Sequence, residues 1–362
     1  MIFFSIGLPG RLAEWCDAVL VDLAGRRDGS VAVTTCPPIA KMFGYESITC
    51  VLDEVTLSLI ETNATHLVMG ARQPDERLRA MLDVTNARFV VALDDPRFAV
   101  ADILARTKGE PGAVTRAVAN SCALVMRCAS LPGALTIRGN QAGIDAVAAV
   151  AAIARHFELT LDEAEAQRIV DELSARGLCY TPRAPDEDPG TRHKVADDAL
   201  AAYAECFAGG DLATIIWPRE LFIVNGNSGK RTTDVLEVSG STCVAPLIYG
   251  PYIHLPPGSW TARVFLGFSS EAAGHTFLVD ACAGRQLACT SFQPGKAGVY
   301  TADINFSLDE PSGHGLEIRV WVGSDYARGQ LAFGHVILRP LAMRQPDAIL
   351  GSQADFRSVL DL

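Results

Sequence analysis

The chain has 362 residues, of which 49% are hydrophobic, 20% charged and 7% aromatic, with a formal net charge of −11. That apolar share builds ordinary cores and excludes a disordered chain, while the length suits two domains. The acidic balance argues against a general nucleic-acid binder, which needs a basic face.

The first ten residues, MIFFSIGLPG, carry no basic region ahead of the apolar run and no small-residue cleavage site, so no secretory leader is expected. The most apolar later stretch, 144–153, holds Asp145 and is too short to span a bilayer. Ten cysteines are scattered among Ala, Val and Leu with no CxxC pair, which predicts small core residues in a reducing compartment, no disulfide framework and no metal site. The expected location is cytoplasmic, with no membrane insertion.

In chain order, short β-type runs at 1–6, 30–34, 66–69 and 89–93 alternate with helical patterns at 11–23, 48–62, 75–84 and 97–105. Strand-helix alternation predicts βαβ units, hence a parallel sheet covered by helices on both faces. The following stretch reads as mainly helical, with candidates at 113–128, 141–157 and 161–176. Thr160 and Glu163 have the spacing of a capping box at the head of the last, and Gly177 stops it. Residues 181–194, TPRAPDEDPGTRHK, read as a solvated loop, and one more helix is expected at 196–207.

From Leu212 the hydrophobic period changes to two. Candidate strands at 214–217, 221–224, 234–238, 252–255, 259–267, 275–283, 285–292, 299–306, 315–322 and 329–338 are separated by Gly, Pro and Asn turns. Many short strands at even spacing predict an antiparallel sandwich or jelly roll. The expected organisation is therefore multidomain: an α/β domain at 1–180, a linker and helix at 181–211, an all-β sandwich at 212–341, and a tail at 342–362.

A strand running into Gly7-Leu8-Pro9-Gly10 and then a helix is where a doubly wound fold rests an anion on backbone amides. A P-loop for nucleotide phosphates ends in Lys and Ser or Thr, and residues 10–15 (GRLAEW) contain none of these. Gly7, Pro9 and Trp15 resemble the first motif of the sulfotransferase family, and Phe89-Val90-Val91-Ala92-Leu93-Asp94-Asp95-Pro96-Arg97 resembles its second strand and turn. The resemblance covers residues 1–180. It implies a three-layer P-loop sulfotransferase-like fold whose donor is a 3′-phosphoadenosine-type nucleotide.

The family's phosphate-holding Arg and Ser fall here on Asp94 and Asp102. A carboxylate about 4–5 Å from a phosphate costs about 3–4 kcal/mol per unit charge at an effective dielectric near 20. The expectation is a degenerate donor site with no cofactor and no catalytic residue. Gly7, Pro9, Gly10 and Arg11 are left as a weak anion site.

Arg116, with Asn120 and Arg127 near one face of helix 113–128, offers a second weak anion site; a solvated polar stripe is the alternative. His66 and His156 read as structural histidines. Glu14 near the turn is a poor general base, because a helix N-terminus lowers a carboxylate's pKa.

In the second half the segment Leu247-Ile248-Tyr249-Gly250-Pro251-Tyr252-Ile253-His254-Leu255-Pro256-Pro257-Gly258-Ser259-Trp260 is the most distinctive. It resembles carbohydrate-binding β-sandwich modules attached to bacterial polysaccharide-processing proteins, over residues 212–340. Sugars are held by flat aromatic faces and planar polar groups. Tyr249, Tyr252, His254, Trp260, Trp321 and Tyr326 supply the first. Arg263, Asp280, Gln286, Asp303, Asn305, Glu317, Arg319 and Gln330 supply the second.

The chosen carbohydrate site is Tyr249, Tyr252, His254, Trp260 and Arg263. Strand alternation leaves core positions open for Trp260 and Trp321, whereas Tyr249 and Tyr252 are expected in an exposed loop.

Three functions remain in play. The preferred one is a non-catalytic or weakly catalytic protein of surface-polysaccharide biology, whose partner is a polysaccharide or oligosaccharide. The second is a working transferase that acts on a carbohydrate and holds its donor with Arg11 and neighbouring amides. The third is an assembly protein whose sandwich forms a homo-oligomer.

Overall fold

The computed structural model describes residues 2–26, 30–35, 65–72, 74, 76–139, 145–180, 193–225, 229–232, 235–240, 245–308, 314–323 and 327–341. The expected helix at 48–62, most of the 181–194 loop and the 342–362 tail lie outside them. The chain divides into two compact units. The first comprises Met1–Gly109, Ser121–Arg192 and Tyr203–Asp211; the second comprises Glu110–Asn120, His193–Ala202 and Leu212–Leu362.

The first unit is built on a five-stranded parallel sheet of β1 (Ile2–Gly7), β2 (Val31–Thr35), β3 (His66–Ala71), β4 (Phe89–Leu93) and β5 (Ala134–Arg138), in the order β2-β3-β1-β4-β5. Near-continuous apolar runs such as Phe89–Leu93, buried at every position, are what a sheet covered on both faces demands. Strand β5 escaped the sequence reading because its outer positions are half-buried and it lies between two helices, which masks its period. Helix α1 (Arg11–Gly25) places Leu12, Trp15, Cys16, Val19 and Leu23 at helical spacing into a core with Phe3, Val90 and Phe157.

Helices α2 (Glu76–Thr85), α3 (Pro96–Arg106) and α4 (Pro111–Ala129) follow, then α5 (Ala146–His156) and α6 (Glu163–Ala175). Helix α5 starts at an Asp145 cap rather than at 141. The α6 capping box is Asp162 with Glu165, two residues beyond the expected Thr160 and Glu163. Thr-Leu-Asp-Glu-Ala-Glu holds that spacing twice, and only the second register leaves Leu161 outside the helix to pack on the core.

Helix α7 (Lys194–Phe207) leads to the second unit's strands: β6 (Ile215–Pro218), β7 (Ile223–Val224), β8 (Gly229–Thr232), β9 (Val235–Gly240), β10 (Ile248–Tyr249), β11 (Pro251–Ile253), β12 (Gly258–Phe268), β13 (Phe277–Cys282), β14 (Gln286–Phe292), β15 (Gly298–Leu308), β16 (Leu316–Val322) and β17 (Ala327–Pro340). They form two antiparallel sheets, β14-β13-β16-β10-β7 with β11 on β16, and β15-β12-β17-β9-β8 with β6 on β17. Strand β16 alternates strictly, with Leu316, Ile318, Val320 and Val322 buried. Phe268 of one sheet meets Phe277 and Phe292 of the other at 4.6 and 5.8 Å between centroids, closing a sandwich core. Among the described residues no helix is long and apolar enough to cross a membrane.

Candidate functional site

In the first unit β1 is flanked by β3 and β4, so the turn after β1 opens at the point where the strand order reverses, the usual ligand crevice of such sheets. Gly7 fits a tight space: a Cβ there would lie 3.0 Å from both the side chain and the carbonyl of Ala92. Gly10 caps α1 without a side-chain hydrogen bond, leaving the first amides to the turn. Leu8 is buried, Pro9 and Gly10 are half-buried, and Arg11 is exposed. Trp15 is buried against Tyr180, at 4.8 Å between ring centroids.

The groups around this turn are already engaged. Asp94 accepts from the Asp95 amide at 2.9 Å and approaches the first turn of α1, since the Cβ position of Gly139 lies 2.9 Å from its Oδ1 and 3.5 Å from Leu12. Burial pushes the Asp94 carboxyl up to about 6. Asp102, 30% exposed, is paired with Arg106 at 2.9 Å, and Arg106 also reaches Glu14 of α1 at 3.1 Å. Its charge is therefore partly met, which the sequence did not foretell.

At the end of β3, Arg72 donates to the Asp17 carboxylate and to the Ala13 carbonyl. Asp17 also accepts from Ser5, so this arginine is held by a half-buried carboxylate. A phosphate at the turn meets amides, the exposed Arg11 and the Asp94 carboxylate, with no lysine or hydroxyl in residues 7–13. Arg116 belongs to the second unit, where its Nη1 donates to the Leu221 carbonyl at 3.1 Å.

The second unit gathers a denser constellation on the outward face of the β14-β13-β16-β10 sheet. Because Leu316, Ile318 and Val320 point inward, Glu317, Arg319 and Trp321 point outward. Across the register Asp280 faces Arg319, and Cys289 faces Asp280 from the other side. Arg319 Nε and Nη2 donate to the two Asp280 oxygens at 2.8 and 2.6 Å. Trp321 Nε1 donates to the same carboxylate at 3.3 Å, and the Arg319 guanidinium lies 5.1 Å from the Trp321 ring centroid.

Ile248 pairs with Val320, so Tyr249 comes beside Arg319 on the same face. Pro251 then pairs with Glu317 and Ile253 with Leu316, leaving Tyr252 as the extra residue of a bulge. Tyr252 has a φ of 65°, rare for an aromatic, and its ring is 6.3 Å from that of Tyr249 in an edge-to-face pair. Its hydroxyl donates to the Glu317 carboxylate. Burial, with the Glu317 and Tyr249 groups beside it, pushes the Tyr252 hydroxyl up to about 12. Glycine is obligatory at 315, where a Cβ would lie 2.3 Å from the Tyr252 carbonyl.

Of the residues singled out from the sequence, Tyr249 and Tyr252 come together here, on strands rather than in a loop. Trp260 is corrected to the core: it is 2% exposed and its Nε1 donates to the Pro256 carbonyl at 3.1 Å. Alternation along β12 decides this, because Trp260 shares the inward face with Ala262 and Val264. Arg263 lies on the other sheet and grips Asp303 at 2.7 and 2.6 Å. The His254 amide donates to the Asn120 side chain at 3.0 Å, which ties that segment to α4. Glu317 and Arg319 stand beside Tyr252 in place of these three, with Asp280 and Trp321 gathered around Arg319 further along the same face.

The backbone at Tyr252 gives a discriminating test. Both Tyr252→Ala and Tyr252→Gly remove the ring, but only glycine relieves a left-handed φ that costs an L-residue about 1–2 kcal/mol. The glycine variant is expected to be about 1 kcal/mol more stable than the alanine variant in denaturant unfolding. At an ordinary position the order reverses by about 0.5–1 kcal/mol.

Among solved structures, the chain is similar over 51% of its length to mouse sulfotransferase SULT7A1 complexed with PAP, at 10% identity and a TM-score of 0.36, covering 72% of that chain. It is similar over 36% to the CBM36-1 domain of a multidomain xylanase from the hindgut metagenome of Trinervitermes trinervoides (12% identity, TM-score 0.23, 99% of that chain). It is also similar over 35% to TmCBM61 in complex with β-1,4-galactotriose (10% identity, TM-score 0.22, 88% of that chain). No family model and no curated protein matches the sequence.

Proposed function

We propose that this chain is a non-catalytic or weakly catalytic protein of surface-polysaccharide biology, pairing a degenerate sulfotransferase-like unit with a glycan-recognising sandwich. The observation that carries the reading is the gathering of Tyr249, Tyr252 and Trp321 on one outward sheet face with the hydrogen-bonding groups of Glu317, Asp280 and Arg319. Aromatic rings offer flat C–H-binding surfaces, and carboxylates accept from sugar hydroxyls. A residue held at φ 65° is kept only where the surroundings require it, which suits a binding position. The first unit's part of the proposal rests on its turn, where the half-buried Asp94 carboxylate stands in place of a phosphate-holding cation.

The test uses the full chain. Affinity electrophoresis through gels cast with bacterial exopolysaccharides is expected to show retardation, and Tyr252→Ala should weaken it roughly tenfold, about 1.4 kcal/mol. A blank across the panel sinks the glycan reading and leaves an assembly role. Adenosine 3′,5′-bisphosphate at millimolar concentration is expected to leave the melting temperature unchanged. A rise of several degrees means the ligand binds the native state, and a transferase takes the place of the inactive reading.

A further inference from the structure

Resting on the glycan-binding reading of this face, we propose that it takes uncharged glycans, and that the Glu317 carboxylate is what turns acidic ones away. The guanidinium charge at this face is already engaged by a carboxylate of the same sheet. A uronate or sulfate ester is best held by the Nε–Nη2 edge of a guanidinium, and on Arg319 that edge is closed by Asp280 through bonds of 2.8 and 2.6 Å. One face of the guanidinium lies toward the Trp321 ring at 5.1 Å. Asp280 is itself buried, so an incoming anion cannot displace it without leaving an uncompensated carboxylate inside the sheet.

Glu317 is the other charge. It lies half-buried between Tyr252, whose hydroxyl it accepts, and Arg319 one step along the same face. The permanent cation acting on it is Arg319, already paired. Two carboxylates against one guanidinium leave the patch negative, and the whole chain adds a net charge of −11 to the approach of any polyanion. For a neutral sugar the same groups are assets. Glu317 accepts from hydroxyls, and Tyr249, Tyr252 and the free edge of Trp321 give apolar surface with no charge to desolvate. Selection of this kind works by repelling the wrong ligand as much as by holding the right one.

The experiment compares retardation of the full chain in gels of neutral galactan and xylan with gels of polygalacturonate and dextran sulfate. The expected result is retardation by a neutral polymer at least tenfold stronger than by either acidic one. Glu317→Gln, nearly isosteric, should shrink that ratio by about tenfold, and on the unmodified protein the ratio should also shrink between about 0.05 and 0.5 M salt as the repulsion is screened. Should an acidic polymer retard the chain as strongly as a neutral one, the selection is wrong while the glycan reading stands. If no polymer retards it, both fall together. A ratio that survives undiminished in Glu317→Gln and at high salt takes the role away from Glu317. The salt series needs no variant and decides the matter even if the substituted chain folds poorly.

Discussion

Arg319→Met is expected to destabilise the second unit by about 3–5 kcal/mol, because it strands the Asp280 carboxylate in a place water barely reaches. The side chain of Asp280 is 6% exposed and that of Arg319 is 22% exposed. Without the guanidinium, the side-chain donor left to that carboxylate among the described contacts is Trp321 Nε1 at 3.3 Å, too long to replace a charge-assisted fork. The cation–π contact with Trp321 goes too, adding about 0.5–1 kcal/mol.

The converse variant, Asp280→Asn, should cost less, since the longer arginine can turn its charge toward solvent. A double variant, Asp280→Asn with Arg319→Met, leaves no charge buried and should recover much of the single-variant loss. Denaturant midpoints on all three forms check this. Additive losses, with Arg319→Met no worse than Asp280→Asn, would mean that the carboxylate is solvated and the pair merely superficial.

That asymmetry bears on what the face can do. A pair so costly to break fixes the spacing of Trp321 and Tyr249 around it, so the aromatic surface is held before any ligand arrives. The bulge at Tyr252 acts in the same direction, aiming a ring outward from a strand whose neighbours Pro251 and Ile253 are buried. Stability and the placement of the aromatic rings thus draw on the same few residues of β10, β11, β13 and β16.

How much of this was legible in the sequence follows from how each signal is encoded. The change from helical periods to a period of two after Leu212 announced the two fold types, because periodicity reports burial directly. The Gly7–Gly10 turn was legible as a strand-turn-helix, since glycine and proline mark such turns locally. Strand β5 was not, because its half-buried positions between two helices carry no clear period. The outward aromatic face was legible in its residue types but not in its membership. Trp260 and Trp321 look alike in sequence, and only the registers of β12 and β16 send one inward and the other outward. Arg263 and Arg319 likewise each stand across from an aspartate, and the strand pairing alone assigns them to different sheets.

The first unit makes its own prediction at Asp94, whose carboxyl burial raises from an ordinary 3.8 to about 6. Between those values the native state holds a proton that the unfolded chain has already lost. The stability this carboxyl contributes is full below about pH 4 and is lost as pH climbs to about 6, after which the penalty stays constant. Asp94→Asn keeps an oxygen to accept the Asp95 amide and removes the charge. It should therefore raise stability at pH 7 by about 3 kcal/mol and change it little at pH 4. For a unit of this size that is a shift of roughly 8 °C in the melting temperature at neutral pH. Thermal melts of both proteins at the two pH values decide it. An equal shift at pH 4 and pH 7 would place the Asp94 carboxyl in water, open the crevice beside Gly7, and restore room for an anion there.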